Sequence, residues 1–169
     1  MLCNHGITLV QLENKHLEIM RLWRNSSFVR VNMLNPKVIS SEEHLNWFTN
    51  LDTNKNFHFI IENKNKWLGS CSIKLIDNNS AEGGIFMAED DKSASLLPVK
   101  AICILYDWAF GILGVDCIEA KIIQKNKRAI NFNKGLGFKV KKIEHDIVYA
   151  VLSNSNFYGA YSKFKHLLS

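Results

Sequence analysis

Three short runs rich in β-branched and aromatic residues lie between positions 57 and 88. They are broken by the polar tetrads Asn63-Lys64-Asn65-Lys66 and Asp77-Asn78-Asn79-Ser80. Such runs separated by turn residues predict strands over 57–62, 67–76 and 81–88, an antiparallel meander that needs layers packed on it. Helical patterns flank it on both sides. A strand over 7–12 is followed by a helix over 16–25 with Leu17, Met20 and Trp23 at helical spacing. Ser40 and Glu43 form an S-x-x-E capping box, and Leu45, Phe48 and Leu51 are expected to line the helix behind it. After the meander, residues 99–113 read as a buried helix, with Pro98 in its first turn and Gly114 as its stop. A strand over 116–123, a helix over 127–134, strands over 138–143 and 145–152 and a helix over 156–165 complete the order. The expectation is one α/β domain over 1–169, with a mixed, mostly antiparallel central sheet flanked by helices.

Composition supports one globular domain: 169 residues, 47% apolar and 22% charged. Cys3, Cys71, Cys103 and Cys117 include no C-x-x-C pair, so no zinc or redox motif is expected, and no metal. The stretch 96–113 is interrupted by Pro98, Lys100 and Asp107, and the first ten residues lack a charged segment ahead of an apolar one. A cytoplasmic protein with no membrane partner is expected. The net charge of +5 favours anionic ligands. Its basic residues are scattered, with local groups at 125–128 and 139–142 and no aromatic platform, so nucleic acid is not the expected partner.

The segment Lys125-Asn126-Lys127-Arg128-Ala129-Ile130-Asn131-Phe132-Asn133-Lys134-Gly135-Leu136-Gly137-Phe138 resembles the N-x-x-A-I-x-x-Y-x-K-x-G-F segment of the GNAT N-acetyltransferase superfamily. Leu22-Trp23-Arg24-Asn25, with Ile39-Ser40-Ser41-Glu42-Glu43-His44-Leu45-Asn46-Trp47-Phe48, resembles the W-R-N … I-S-x-E-E-H segment of bacterial nucleotide-amino-sugar N-acetyltransferases of the pseudaminic acid type. The resemblance implies the GNAT fold, acetyl-CoA as co-substrate, and an acetyl group moved to a primary amine. It implies a small anionic acceptor, a nucleotide-linked amino sugar first. Protein N-terminal acetylation and a non-catalytic binding module are the alternatives, and a homodimer is open to such a domain.

The resemblance also implies site residues. In the family the fourth and fifth strands splay, and pantetheine bonds the exposed backbone between them. Here that backbone is expected at Phe86, Met87 and Ala88, following the pair Gly83-Gly84. Amides that meet the pyrophosphate are expected near Ser95, Leu96, Leu97, Val99 and Lys100. The family's basic residue and glycines are missing there, and Lys92, Lys100, Ser93 or Ser95 would have to help. Asn126 and Ala129 would contact the coenzyme, although Asn126 equally suits a helix N-cap. Glu82 or His44 would serve as base. Asn133 occupies the place of the family's acidic tyrosine, and an amide cannot protonate a thiolate. Tyr106, Tyr149, Tyr158 and Tyr161 are the phenols available instead. Trp23, Arg24, Asn25, His44 and Trp47 would meet the acceptor. His58, between Phe57 and Phe59, is expected to face outward.

Overall fold

The structure is a computed structural model that describes residues 1–89 and 96–168. Strand β1 (Leu2–Asn4) and β2 (Ile7–Gln11) form a hairpin. Three helices follow: α1 (Leu17–Asn25), the single turn α2 (Ser27–Arg30) and α3 (Ser41–Thr49). The meander is β3 (Asn56–Asn63), β4 (Lys66–Leu75) and β5 (Ser80–Met87). Then come α4 (Leu97–Trp108), β6 (Cys117–Ile123), α5 (Lys127–Gly135), β7 (Lys139–Glu144), β8 (Ile147–Ser153) and α6 (Asn154–Phe164). The strands make one sheet in the order β1-β2-β3-β4-β5-β6-β8-β7. All neighbours run antiparallel except β5 and β6.

Local chemistry explains most boundaries. The Ser40 hydroxyl accepts the Glu43 amide at 3.1 Å, and the Glu43 carboxylate accepts the Ser40 amide at 2.7 Å, so the capping box starts α3. Gly114 ends the α4 segment in the left-handed region, at φ 72°. Before it, Ala109–Leu113 widens into a π-helical turn that no sequence signal announced. The hairpin tips Lys64-Asn65 and His145-Asp146 also adopt positive φ, the twist two-residue hairpin turns require.

Two apolar layers cover the sheet. On one face Ile7, Leu9, Phe59, Ile61, Cys71, Ile73 and Ile118 pack against α4, Phe138 and Phe157. On the other, Ile60 and Leu12 meet Leu17 and Met20 of α1, with Trp23, Trp47, Phe48 and Phe86 around them. Alternation along β3 assigns Phe57 and Phe59 to the α4 face, where both rings meet Trp108. His58 therefore points to the α1–α3 face. It stands edge-on to Trp47 with centroids 5.0 Å apart, so it is covered rather than outward-facing. On α3 the buried residue is His44, whereas Leu45 is exposed.

Candidate active site

Strands β5 and β6 are joined only at Ser80–Cys117, Ala81–Ile118 and Glu82–Glu119. Beyond Glu82 they part, leaving a gap between 83–87 and 120–123. What β5 presents to that gap follows from its bonds to β4. At one end of their ladder Ile76 donates to the Ser80 carbonyl at 2.9 Å; at the other Ala88 donates to the Leu68 carbonyl at 2.8 Å. Antiparallel pairing alternates, so Gly84 and Phe86 also turn their amides to β4. Ile85 and Met87 turn their amides and carbonyls to the gap, whereas the Gly83 amide closes the last rung of the β5–β6 ladder on Glu119 and leaves only the Gly83 carbonyl. This corrects the expected edge. The Met87 amide faces the gap, the Ala88 amide is spent on Leu68, the Phe86 amide faces β4, and the Ile85 amide faces the gap as well. Residue type carries no sign of this parity; only the pairing register sets it.

The narrow end of the gap is tightly built. A Cβ on Gly83 would lie 2.7 Å from the Tyr106 hydroxyl and 2.9 Å from Ile118 Cγ2. Tyr106 is 2% exposed and packs against Phe138 and Phe157. On the opposite face the Glu82 carboxylate meets the Lys121 ammonium at 2.5 Å, and this contact raises the pKa of Lys121. Glu82 thus stands at the fork, half-exposed and already paired.

At the wide end α4 begins. Leu96 is its N-cap, with no side-chain cap, and Pro98 lies in its first turn without an amide hydrogen. The Lys100 amide closes the first turn on the Leu96 carbonyl at 2.8 Å. Lys100 therefore offers its ammonium rather than its amide, and Val99 keeps an early helical amide. Ser95, with Lys92 and Ser93, lies outside the described residues. Across the gap, Asn126 Oδ1 accepts the Ala129 amide at 3.0 Å as the N-cap of α5. That bond uses the Ala129 amide and leaves the Asn126 amide group. Asn133 donates to the Ala129 carbonyl at 2.9 Å and holds no acidic proton.

The expected acceptor residues divide. Asn25 donates to the Ile39 carbonyl at 2.7 Å and accepts the Ile39 amide at 2.8 Å. It clamps the loop after α2, which corrects its assignment to the acceptor. Arg24 bonds the Asn35 carbonyl through Nη2, while its buried Nη1 has no partner. Burial and the nearby Arg30 guanidinium lower the pKa of Arg24. Arg30 was missed in the sequence; it bonds the Pro36 carbonyl and also buries an unpartnered Nε. Its visible signal was only a second arginine one to two turns beyond the first. Trp23, Trp47 and Phe48 all pack, partly buried, against the α1 core. His44 is 5% exposed, stacks on Trp47 at 5.1 Å, and has an unpartnered Nδ1. Burial lowers its pKa, and burial pushes His58 down to about 4.

A parted pair of strands, backbone amides along one lip and a helix N-terminus at the mouth suit an extended, phosphate-bearing thioester. A family model described as an acetyltransferase (GNAT) domain matches residues 7–139. The chain belongs to the GNAT acetyltransferase family. Enzymes of this GNAT family draw on acetyl-CoA, and this chain is accordingly an N-acetyltransferase. Among curated relatives, the acetyltransferase PseH of Campylobacter jejuni is 26% identical over 148 residues, spanning 86% of this chain and 91% of that protein. Among solved structures, apo FdhC, described as a nucleotide-linked sugar GNAT, superposes with TM-score 0.84 at 16% identity over 99% of this chain and 98% of its own. The spermidine N-acetyltransferase of Vibrio cholerae, solved with CoA and spermine, reaches 0.81 at 19% identity over 92% and 99%. Among the described residues no helix is long and apolar enough to cross a membrane, and no cluster of metal-ligating side chains occurs.

Proposed function

We propose that this GNAT enzyme acetylates the primary amine of a nucleotide-linked amino sugar, with the acceptor seated between α1, α2 and the sheet face that carries Glu82. The observation that carries the reading is the Arg24–Arg30 pair. Each guanidinium has a buried nitrogen without a partner, and neither makes an ion pair with another described residue. Two adjacent unneutralised guanidinium groups are unfavourable unless an anion bridges them, and their fork geometry matches a diphosphate. FdhC, described as a nucleotide-linked sugar GNAT, agrees with this acceptor. A spermidine-like polycation would be repelled by the same pair.

In this reading acetyl-CoA brings the activated acetyl thioester, and the chain supplies placement. The amides of Ile85 and Met87 hold the arm and polarise its carbonyl. Val99, the Leu97 turn, the Lys100 ammonium and the Asn126 side chain face the phosphates and the arm. Glu82 takes the proton of the arriving ammonium, directly or through water, and its contact with Lys121 fixes where the carboxylate stands. Trp23 and Trp47 border the ring, and His44 and His58 stay neutral above pH 7, so they lend hydrogen bonds rather than charge. Calorimetry with acetyl-CoA, followed by thiol release in the presence of nucleotide amino sugars, spermidine or N-terminal peptides, tests the reading. Turnover is expected with a nucleotide amino sugar. Arg24→Gln should raise its KM by about 10- to 100-fold, the worth of charge-assisted hydrogen bonds to phosphate. Turnover of spermidine or peptides, with none of the nucleotide sugars, would sink it.

A further inference from the structure

When the amine attacks, the carbon–nitrogen bond forms, the carbon–sulfur bond breaks, and its electron pair leaves on sulfur. That thiolate is the second charge the site must manage. The first, on the carbonyl oxygen, faces backbone amides. Nothing yet described faces the sulfur, since Asn133 is bonded within α5.

Four tyrosines could supply a phenolic hydrogen, and the fold separates them. Tyr158 donates to Asp107 at 2.8 Å. Tyr161 is hydrogen-bonded to His5 at 3.1 Å, beside the β1–β2 turn. Tyr149 pairs with Lys121 and Lys142 on β8 and lies under the Lys142 ammonium, 4.8 Å from its ring centre. Tyr106 alone is aimed at the fork. Its hydroxyl lies 2.7 Å from where a Gly83 Cβ would stand, and that same point is 2.9 Å from Ile118 Cγ2. It therefore lies on the α4 face of the sheet, beneath Gly83 and Ile118, where the pairing of the two strands ends. Gly83 is the one residue on the gap-facing edge without a side chain, and its absence is what lets the hydroxyl in.

An arm entering at the mouth near Leu97 and running along 87, 85 and 83 travels about 13 Å, at roughly 3.3 Å per residue, before the strands rejoin. Its reacting end is its far end. We infer that the Tyr106 hydroxyl is the hydrogen-bond donor to the sulfur of the leaving coenzyme at the narrow end of the gap. This rests on the gap between β5 and β6 as the coenzyme's seat.

The donor keeps its proton. Burial raises the Tyr106 phenol well above its ordinary value, with the Cys71 and Cys103 thiols as its nearest titratable neighbours. Those thiols are themselves raised by burial, Cys103 to about 12, so they stay uncharged. The charged groups nearest the fork are Glu82, Lys121 and Glu119, all on the opposite face, with Glu82 and Lys121 paired to each other. A phenol so placed lends a hydrogen bond throughout the working pH range. The sulfur leaves as a thiolate and takes its proton from solvent, while the proton lost by the ammonium passes through Glu82 to water.

The test reads the thiol, not only the rate. CoA bound to the protein is titrated by its thiolate absorbance, with affinity and thermal midpoint measured alongside. In wild type the bound thiol should ionise at lower pH than free CoA. Tyr106→Phe should raise that ionisation by about one to two pH units, the worth of a hydrogen bond to a charged atom. It should lower kcat about 10- to 100-fold, with little change in KM for acetyl-CoA. If Tyr106→Phe does not fold, 3-fluorotyrosine in the wild-type chain, a stronger donor of nearly the same size, should move the bound thiol to lower pH. A folded, CoA-binding Tyr106→Phe with an unmoved thiol, or an unmoved thiol in the fluorotyrosine protein, overturns the inference. Absence of CoA binding by wild type overturns the seat itself and the inference with it.

Discussion

Replacing Gly83 with alanine measures how closely the fork is packed. The added methyl would meet the Tyr106 hydroxyl at 2.7 Å, Tyr106 Cε1 at 2.9 Å and Ile118 Cγ2 at 2.9 Å. All three distances fall below ordinary carbon contact. None of these atoms is the loose end of an exposed chain, because Tyr106 is wedged between Phe138 and Phe157 and Ile118 is fully buried. Overpacking of this kind costs about 1–3 kcal/mol. In a chain of this size that lowers Tm by about 2–12 °C. Gly84 is the internal control. It is the next residue, but its Cβ would point to the other face and meet only Ser72 Oγ, at 3.6 Å. Gly84→Ala should therefore change stability by less than about 1 kcal/mol, helped by the reduced entropy of the unfolded chain. The assay is thermal and urea unfolding of the three proteins side by side. Gly83→Ala as stable as wild type, or Gly84→Ala equally damaged, would refute the packing described for the fork.

His58 makes stability depend on pH. Its folded pKa of about 4 lies below the ordinary 6.5, so the unfolded chain binds the extra proton first. Stability should fall as pH drops from 6.5 toward 4, by at most about 3 kcal/mol, and His58→Phe should flatten that part of a urea-midpoint profile. Asn25→Ala leaves the Ile39 amide unpaired and its carbonyl with Arg21 Nη1 alone, and should cost about 1–3 kcal/mol by urea unfolding; a cost near zero would remove the clamp from the account. Glu82→Gln should lower kcat about 10²–10⁴-fold with acetyl-CoA affinity intact; retention of full activity at neutral pH would dismiss Glu82 as the base.

Much of this architecture could be read ahead because its causes are local. The Ser40–Glu43 box, the Gly114 stop and the polar tetrads between strands each act over a few residues, and the strands and helices they bound fall within a residue or two of expectation. The β1 strand was missed because its three residues show no period. The α2 turn was missed for the same reason, since Ser26 caps only four residues. His58 was misplaced because alternation gives two faces without saying which is covered. The lip of the gap needed the register of β4 on β5, and Arg30 needed the fold to bring it beside Arg24. Asn25 looked like a ligand because an exposed loop amide and a loop clamp have the same composition.

The lip formed by Gly83, Ile85 and Met87 is an address rather than a set of residues. Its grip depends on every second peptide unit facing outward, and any side chain that keeps the strand leaves that phase unchanged. Point substitutions at the mouth, such as the lost glycines before α4, can therefore accumulate without erasing the interior of the seat. Adding or removing one residue ahead of Gly83 is a different class of event. It would turn every amide on the lip toward β4 at once, so this stretch of chain should tolerate changes of letter far better than changes of length.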